Sequence, residues 1–330
     1  MANLNVLQWD GTPGHYEVYY LSATDPATGI GLWIRYTMVA PIGNPPTHAT
    51  CSLWFMAMDP RGDVRLGRKL SYPVEQLVAD PEPFRLQIAD SELSDRGMAG
   101  GFDDVSWELR WEPSKAYEHV HPLLRRGRIA KTVLTLPHAD LAVDGTVAFD
   151  GRELTLARAR GGQAHLWGSK HANRWAWVHC NDFPGHNGAF VDGVSVFVPR
   201  FGREIGPSTP VVGRLLDEDF VANGPAAVVR APSTFGLTSW NFEATARKRR
   251  IVCEVRATRE SLVGVTYYDP DGQLAYCYNS EASSMRVSVY DKSRRGGSPW
   301  MLRETLESDG RAHFEYAQRE PVAGLELLVT

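Results

Sequence analysis

Short runs in which apolar and polar residues alternate follow one another along almost the whole chain. HYEVYYLSAT, GLWIRYTMVA and ATCSLWFMAM come first, then RLGRKLSY, FRLQIADSEL and VSWELRWEP. KTVLTL, GTVAFDG, RELTLARARG, NRWAWVHCNDF and GVSVFVP occupy the middle. The last third holds VVGRLL, AAVVRA, TSWNFEATA, RIVCEVRAT, LVGVTYYDP, GQLAYCYNS, MRVSVYDK, AHFEYAQ and LELLVT. Gly, Pro, Asn and Asp separate the runs, which is the pattern of an all-β protein. Helical patterning is confined to SYPVEQLVADPEPF, which predicts one short helix, and LLDEDFVANG, which predicts a turn or two.

About twenty strands are too many for one small barrel and suit two antiparallel barrels of eight to ten. The length of 330 residues also fits two cores better than one. The division is expected near residue 135, where LRRGRIAKTVLTLPHADL turns from basic to apolar and breaks at Pro137. That gives domains 1–135 and 136–330. LWFMAMDPRGDVRLG and VGVTYYDPDGQLAYC share a strand, an Asp-Pro-x-Gly turn and a second strand, an internal echo that predicts matching hairpins in two similar domains.

Composition adds exclusions. Net charge is −4, against a general nucleic-acid binder. Cys51, Cys180, Cys253 and Cys277 are scattered, without a CxxC pair, and read as reduced, buried thiols of a cytoplasmic protein. The N-terminal MANLNVLQWDGTPG lacks the blocks of a secretory signal, and no apolar run of about 18 residues exists to span a membrane. The basic runs RRGR at 125–128 and RKRR at 247–250 read as solvated hairpin tips or linkers, with transient contact to an anionic membrane the functional alternative.

The densest chemistry lies in HLWGSKHANRWAWVHCNDF, residues 165–183. At period two, Trp175, Trp177, His179 and Asn181 share one strand face, and Ala176, Val178, Cys180 and Asp182 the other. His165 and Trp167 pair likewise on the preceding strand. Large side chains are expected to fill or fringe a barrel interior and small ones to pack outward. A wall of rings with polar tips suits a mostly apolar ligand with one or two polar handles. No metal is expected, because His165, His171 and His179 lack compact zinc spacing and His171 falls in the turn SKHAN. A Cys180–His179 nucleophilic pair fails because neighbours on a strand face opposite ways.

LPHADLAVDGTVAFDGRELTLARARGGQAHLWGSKHANRWAWVHCNDF resembles the tocopherol cyclase-like family, with the match carried by Trp167-Gly168, Arg174-Trp175, Trp177-Val178 and Cys180-Asn181. Its superfamily includes carotenoid 1,2-hydratases and fungal Diels–Alderase-like proteins, and the His165-x-Trp167 pair is closer to the hydratase branch. The resemblance implies two lipocalin-like barrels and a lipophilic ligand of isoprenoid, sterol or polyketide kind. An enzyme of this sort would cyclise, hydrate or isomerise its substrate without a cofactor, by acid-initiated chemistry in a dry aromatic pocket. His165 and His179 are the expected proton carriers, with Asp182 and Asp192 the nearest carboxylates and Asp192 also readable as a turn residue. Trp167, Trp175, Trp177 and Asn181 are the expected ligand wall, joined by Trp240, Tyr268 and Tyr276. The pocket is expected at the domain interface or in the second barrel. Two further readings are a carrier or sensor with the same pocket and a structural protein whose tryptophans fill a closed core. Trp33 and Arg35 share a face in the first domain, where Arg35 is expected to pair with Glu17, the alternative being a ligand carboxylate.

Overall fold

In the computed structural model, which describes residues 3–43, 48–121, 131–200, 203–293 and 299–330, alternation is folded into two antiparallel sheets of twelve strands each. The first contains β1 (His15–Thr24), β2 (Gly31–Ala40), β3 (Thr50–Met58), β4 (Arg65–Pro73), β5 (Leu77–Pro81), β6 (Phe84–Ile88), β7 (Ser91–Ser94), β8 (Gly97–Phe102), β9 (Val105–Arg110), β10 (Tyr117–Glu118), β11 (Thr132–Phe149) and β12 (Arg152–Gly168). The second contains β13 (Arg174–Cys180), β14 (Phe190–Arg200), β15 (Arg203–Ser208), β16 (Val211–Leu215), β17 (Glu218–Ala222), β18 (Ser233–Gly236), β19 (Ser239–Ala246), β20 (Arg249–Arg256), β21 (Val263–Tyr268), β22 (Leu274–Lys292), β23 (Trp300–Gln318) and β24 (Leu327–Val329). Each sheet curls into a lipocalin-like barrel. β24, parallel to β21, departs from the antiparallel pattern.

The strand orders match. The first sheet runs β4-β3-β2-β1-β12-β11-β9-β8-β7-β6-β5, and the second β17-β16-β14-β13-β23-β22-β20-β19-β18. In both, the first strand of the unit pairs with the last strand of a long, bulged hairpin. The internal echo does not mark this repeat. Asp59–Gly62 joins β3 to β4, whereas Asp269–Gly272 joins β21 to β22, and these places are not equivalent in the two orders. The turns share chemistry only: Gly62 and Gly272 each donate to the Asp three residues back and adopt positive φ.

The chain passes between sheets after Gly168 and before Arg174, so residues 136–168, assigned by pattern to the second half, belong to the first sheet. The Trp/His motif is thereby split across the two units. Other local expectations also change. LLDEDFVANG forms the β16–β17 hairpin, and AAVVRA, read as a strand, lies in the short helix α1 (Pro225–Arg230), which Pro225 opens. SYPVEQLVADPEPF gives one helical turn at Val74–Gln76 and then β5. The four cysteines are buried and free. RKRR is the tip and start of the β19–β20 hairpin, while RRGR lies outside the described residues.

Three cores hold the fold. Leu21, Ile34, Phe55, Trp107 and Phe149 fill the first barrel. Cys253, Trp240, Phe242, Val287 and Phe314 fill the second. The third lies between them, where the outer faces of β1–β3 and β12 meet β13, β14 and β21 through Tyr16, Tyr20, Trp33, Trp54, Trp175, Trp177, Phe190 and Tyr267. On β13 it is therefore the small residues Ala176, Val178 and Cys180 that enter the barrel, and the tryptophans that face the neighbouring unit. The expected inside and outside are reversed. The two units approach closely at Gly31 and Gly162, where a Cβ would strike the Glu281 backbone and the His179 ring respectively.

Candidate functional site

A cavity of about 300 Å³ opens within the third core. One wall is the outward face of β1–β4. Hydrogen-bonded register places Tyr20, Arg35, Trp54 and Lys69 on one rung across the four strands, and Val18, Thr37, Ser52 and Ser71 on the next. From these rungs, Arg35, Trp54, Lys69, Val18, Thr37, Ser52 and Ser71 all line the cavity. The facing wall comes from the second unit and the crossing loop: His171, Tyr267, Tyr268 and Asp269.

His171 is held from several sides. Its Nδ1 lies 2.6 Å from Asp269 Oδ1, and its backbone N–H donates to the same oxygen at 2.9 Å. Arg319 donates to Asp269 Oδ2 at 2.7 Å and to the His171 carbonyl at 2.6 Å. Tyr16 stacks on the ring with centroids 4.3 Å apart, and Trp175 and Tyr267 stack beyond it at 5.4 and 5.5 Å. Burial pushes the imidazole below its ordinary range, against the opposing pull of Asp269. Burial pushes the Asp269 carboxyl up, but His171 and Arg319 outweigh it and hold it below the usual range. An ionised Asp269 fixes the tautomer with hydrogen on Nδ1, leaving the Nε2 lone pair free to accept a proton. The Asp-Pro-Asp-Gly turn thus positions an acid against a histidine from the interdomain crossing.

Arg35 is buried in an aromatic collar, its guanidinium carbon 4.3 Å from the Tyr267 ring centre, 5.1 Å from Trp33 and 5.3 Å from Trp54. It does not meet Glu17. Glu17 sits in the first unit, bonded by His15, Tyr19, His165 and the backbone N–H groups of Gln8 and Trp9.

The expected site residues are dispersed. His165 is fully buried, with Nε2 on Glu17 and Nδ1 on the Leu4 carbonyl, so neither ring nitrogen is open to a substrate. Trp167 lies half-buried beside it. His179 and Trp177 face the unit interface but do not line this cavity. Both bond to Asp192, which also meets His119 at 2.9 Å. Asp192 is a strand residue, not a turn residue. Burial raises its carboxyl, but His119 and His179 outweigh that and hold it low. Asp182 is paired with Arg311. Asn181 ties the units together by donating to Asp140 and to the Gly161 carbonyl. Trp240 is in the second barrel's interior, bonded to Ser233, and Tyr276 packs on the same core. Trp175 stands behind His171 and bonds to Glu315. Tyr268 lines the cavity. Sequence reasoning passed over His171 and Asp269 because each occupies a turn; a histidine in the loop crossing between units was the available signal.

The family model described as tocopherol cyclase-like matches residues 84–312, more than half of the chain. An uncharacterized protein of Mycobacterium tuberculosis strain H37Rv is 30% identical over 303 residues, covering 89% of this chain and 85% of its own. Among solved structures, a putative AttH from Nitrosomonas europaea superposes with a TM-score of 0.54 at 10% identity, covering 93% of each chain. Kievitone hydratase from Nectria haematococca gives 0.54 at 9% identity, with 96% of this chain and 93% of that one covered. CghA with Sch210972 gives 0.55 at 8%, with 92% and 88% covered. At these identities the likeness is one of fold.

Proposed function

Because the chain belongs to the tocopherol cyclase-like family, we propose that it binds a lipophilic small molecule in the cavity between its two barrels and cyclises, hydrates or isomerises it there. The observation that carries this reading is the His171–Asp269 pair at the wall of an aromatic cavity. A neutral imidazole with its Nδ1–H directed at a carboxylate is a base at Nε2. The chemistry begins with proton removal, in contrast to the acid-initiated reaction expected from sequence.

In a cyclisation, Nε2 takes the proton of a substrate hydroxyl as its oxygen bonds to an alkene carbon, and the imidazolium returns that proton to the other alkene carbon. The O–H and C=C π bonds break, the C–O and C–H bonds form, and no proton is gained or lost overall. Water in place of the hydroxyl makes the reaction a hydration. Removal and return of a proton at two carbons makes it an isomerisation. Asp269 and Arg319 hold the ring during these transfers.

Mass spectrometry of lipophilic molecules copurifying with the protein identifies the ligand. That ligand is then incubated with the protein in deuterium oxide. Uptake of deuterium at carbon, or conversion, is expected with the native chain and is expected to fall about 10²–10⁴-fold in His171→Gln. Native exchange in that variant would remove His171 from the chemistry. Return of an unchanged, unexchanged ligand would make the protein a carrier.

A further inference from the structure

Among the described residues, Arg35 has no counter-ion. Its guanidinium makes no hydrogen bond or ion pair with any described residue, and its enclosed Nε has no acceptor. A buried cation in this condition is costly, and proteins pair such groups. Asp269 and Glu315 are otherwise engaged. Asp269 is taken by His171 and Arg319. Glu315 lies within electrostatic reach of Arg35 but bonds to Trp175, and burial holds its carboxyl above the usual range, which favours its neutral form. Lys69 stands on the same rung, stacked over Trp54 at 4.5 Å and donating to a Thr330 oxygen at 3.3 Å, and adds positive potential. The hydroxyls of Thr37 and Ser52 follow on the next rung.

Resting on the reading of this cavity as the substrate site, we propose that Arg35 anchors an anionic oxygen group, and that the natural ligand is a lipophilic carboxylic acid bound as its carboxylate. The planar fork of a guanidinium matches a carboxylate in two parallel hydrogen bonds. The collar of Trp33, Trp54 and Tyr267 packs around the guanidinium, so little ordering remains to be done on binding. His171, on the facing wall, then acts on a part of the ligand held away from its charged end.

The test uses three probes of one shape: 4-phenylbutyrate, 4-phenylbutanol and 4-phenylbutylamine. Binding to the whole chain is followed by calorimetry and by tryptophan fluorescence. The acid is expected to bind roughly tenfold or more tighter than the alcohol, and the amine least. Arg35→Met is expected to erase the preference of acid over alcohol, and Arg35→Lys to retain part of it. Equal affinity for acid and alcohol in the native chain, no binding of either, or an undiminished preference in Arg35→Met would overturn the proposal. The native-chain comparison decides the matter even where Arg35→Met does not fold. His171→Gln separates this proposal from the catalytic one: it is expected to keep the acid's affinity, whatever it does to exchange or turnover.

Discussion

Replacing Glu17 by Gln tests whether the polar cluster around His165 is structural. The Glu17 carboxylate, fully buried, accepts from the Gln8 and Trp9 backbones and from His15, Tyr19 and His165, and so fastens the N-terminal segment against the first barrel. Burial raises its proton affinity, but hydrogen bonds from His15 and His165 win, and its pKa falls from 4.5 to about 2. A folded value below the unfolded one stabilises the native state above the unfolded value, and the benefit disappears as pH falls through the folded one. From 4.5 to about 2 the linkage amounts to roughly 3 kcal/mol at pH 7, about 1.4 kcal/mol at pH 3, and almost nothing near pH 1. Urea unfolding of native and Glu17→Gln protein at pH 7 and pH 3 reads this directly. The variant is expected to be less stable by roughly 3 kcal/mol at pH 7 and by about half as much at pH 3. In a chain of 330 residues that is a fall in Tm of roughly 4–5 °C at neutral pH. A stability difference that is the same at both pH values, or none at pH 7, would refute the reasoning.

The pair His171 and His179 should behave oppositely. His171→Gln is expected to lose activity while the chain stays folded, whereas His179→Ala removes a partner of buried Asp192 and is expected to cost roughly 3 kcal/mol in urea unfolding. Gly162→Ala places a Cβ 2.7 Å from His179 Nε2, so about 1–3 kcal/mol of destabilisation is expected, seen in thermal unfolding. The His171 imidazole is pushed low by burial, and in the proposed reaction the neutral ring is the active form. The kcat/KM profile should therefore hold as pH falls through the ordinary imidazole range and decline only below it. Trp240→Ala empties part of the second barrel and is expected to cost about 3–5 kcal/mol, while the folded fraction keeps its affinity for the cavity ligand.

The strands were legible because period-two alternation and turn residues are local signals, and the motif around Trp167-Gly168 and Trp175 to Asn181 identified the ancestry. What sequence pattern could not supply was the partner of each face. LLDEDFVANG has the apolar spacing of a helix, but its central Leu216 and Asp217 adopt positive φ and turn the chain into a hairpin. The unit boundary was misplaced because β11 and β12, which follow the basic stretch near residue 125 in the sequence, still belong to the first sheet, and composition does not distinguish such a stretch from a linker. His171 was visible as a turn residue. Only the fold shows that its turn lies against Asp269, 98 positions later.

The reversal on β13 has a physical cause that bears on where any ligand binds. Alternation predicts one buried and one solvated face when a sheet has a single covered side. Here β1, β2 and β3 are buried almost continuously, because one face fills a barrel and the other meets the second unit. Both faces of β13 are likewise covered, so neither the tryptophans nor the small residues could be assigned to the interior from pattern alone. Packing decides it. Phe55, Trp107 and Phe149 in one barrel, and Trp240, Phe242 and Phe314 in the other, occupy the interiors that a lipocalin-like fold would otherwise offer to a ligand. The outer rungs of β1–β4 bear Arg35 and the hydroxyls, and the crossing loop brings His171 to face them. A site built this way requires both units. Changes at their contact, such as at Gly31 against the Glu281 backbone, should therefore weaken ligand binding through the spacing of the walls, although they touch no ligand.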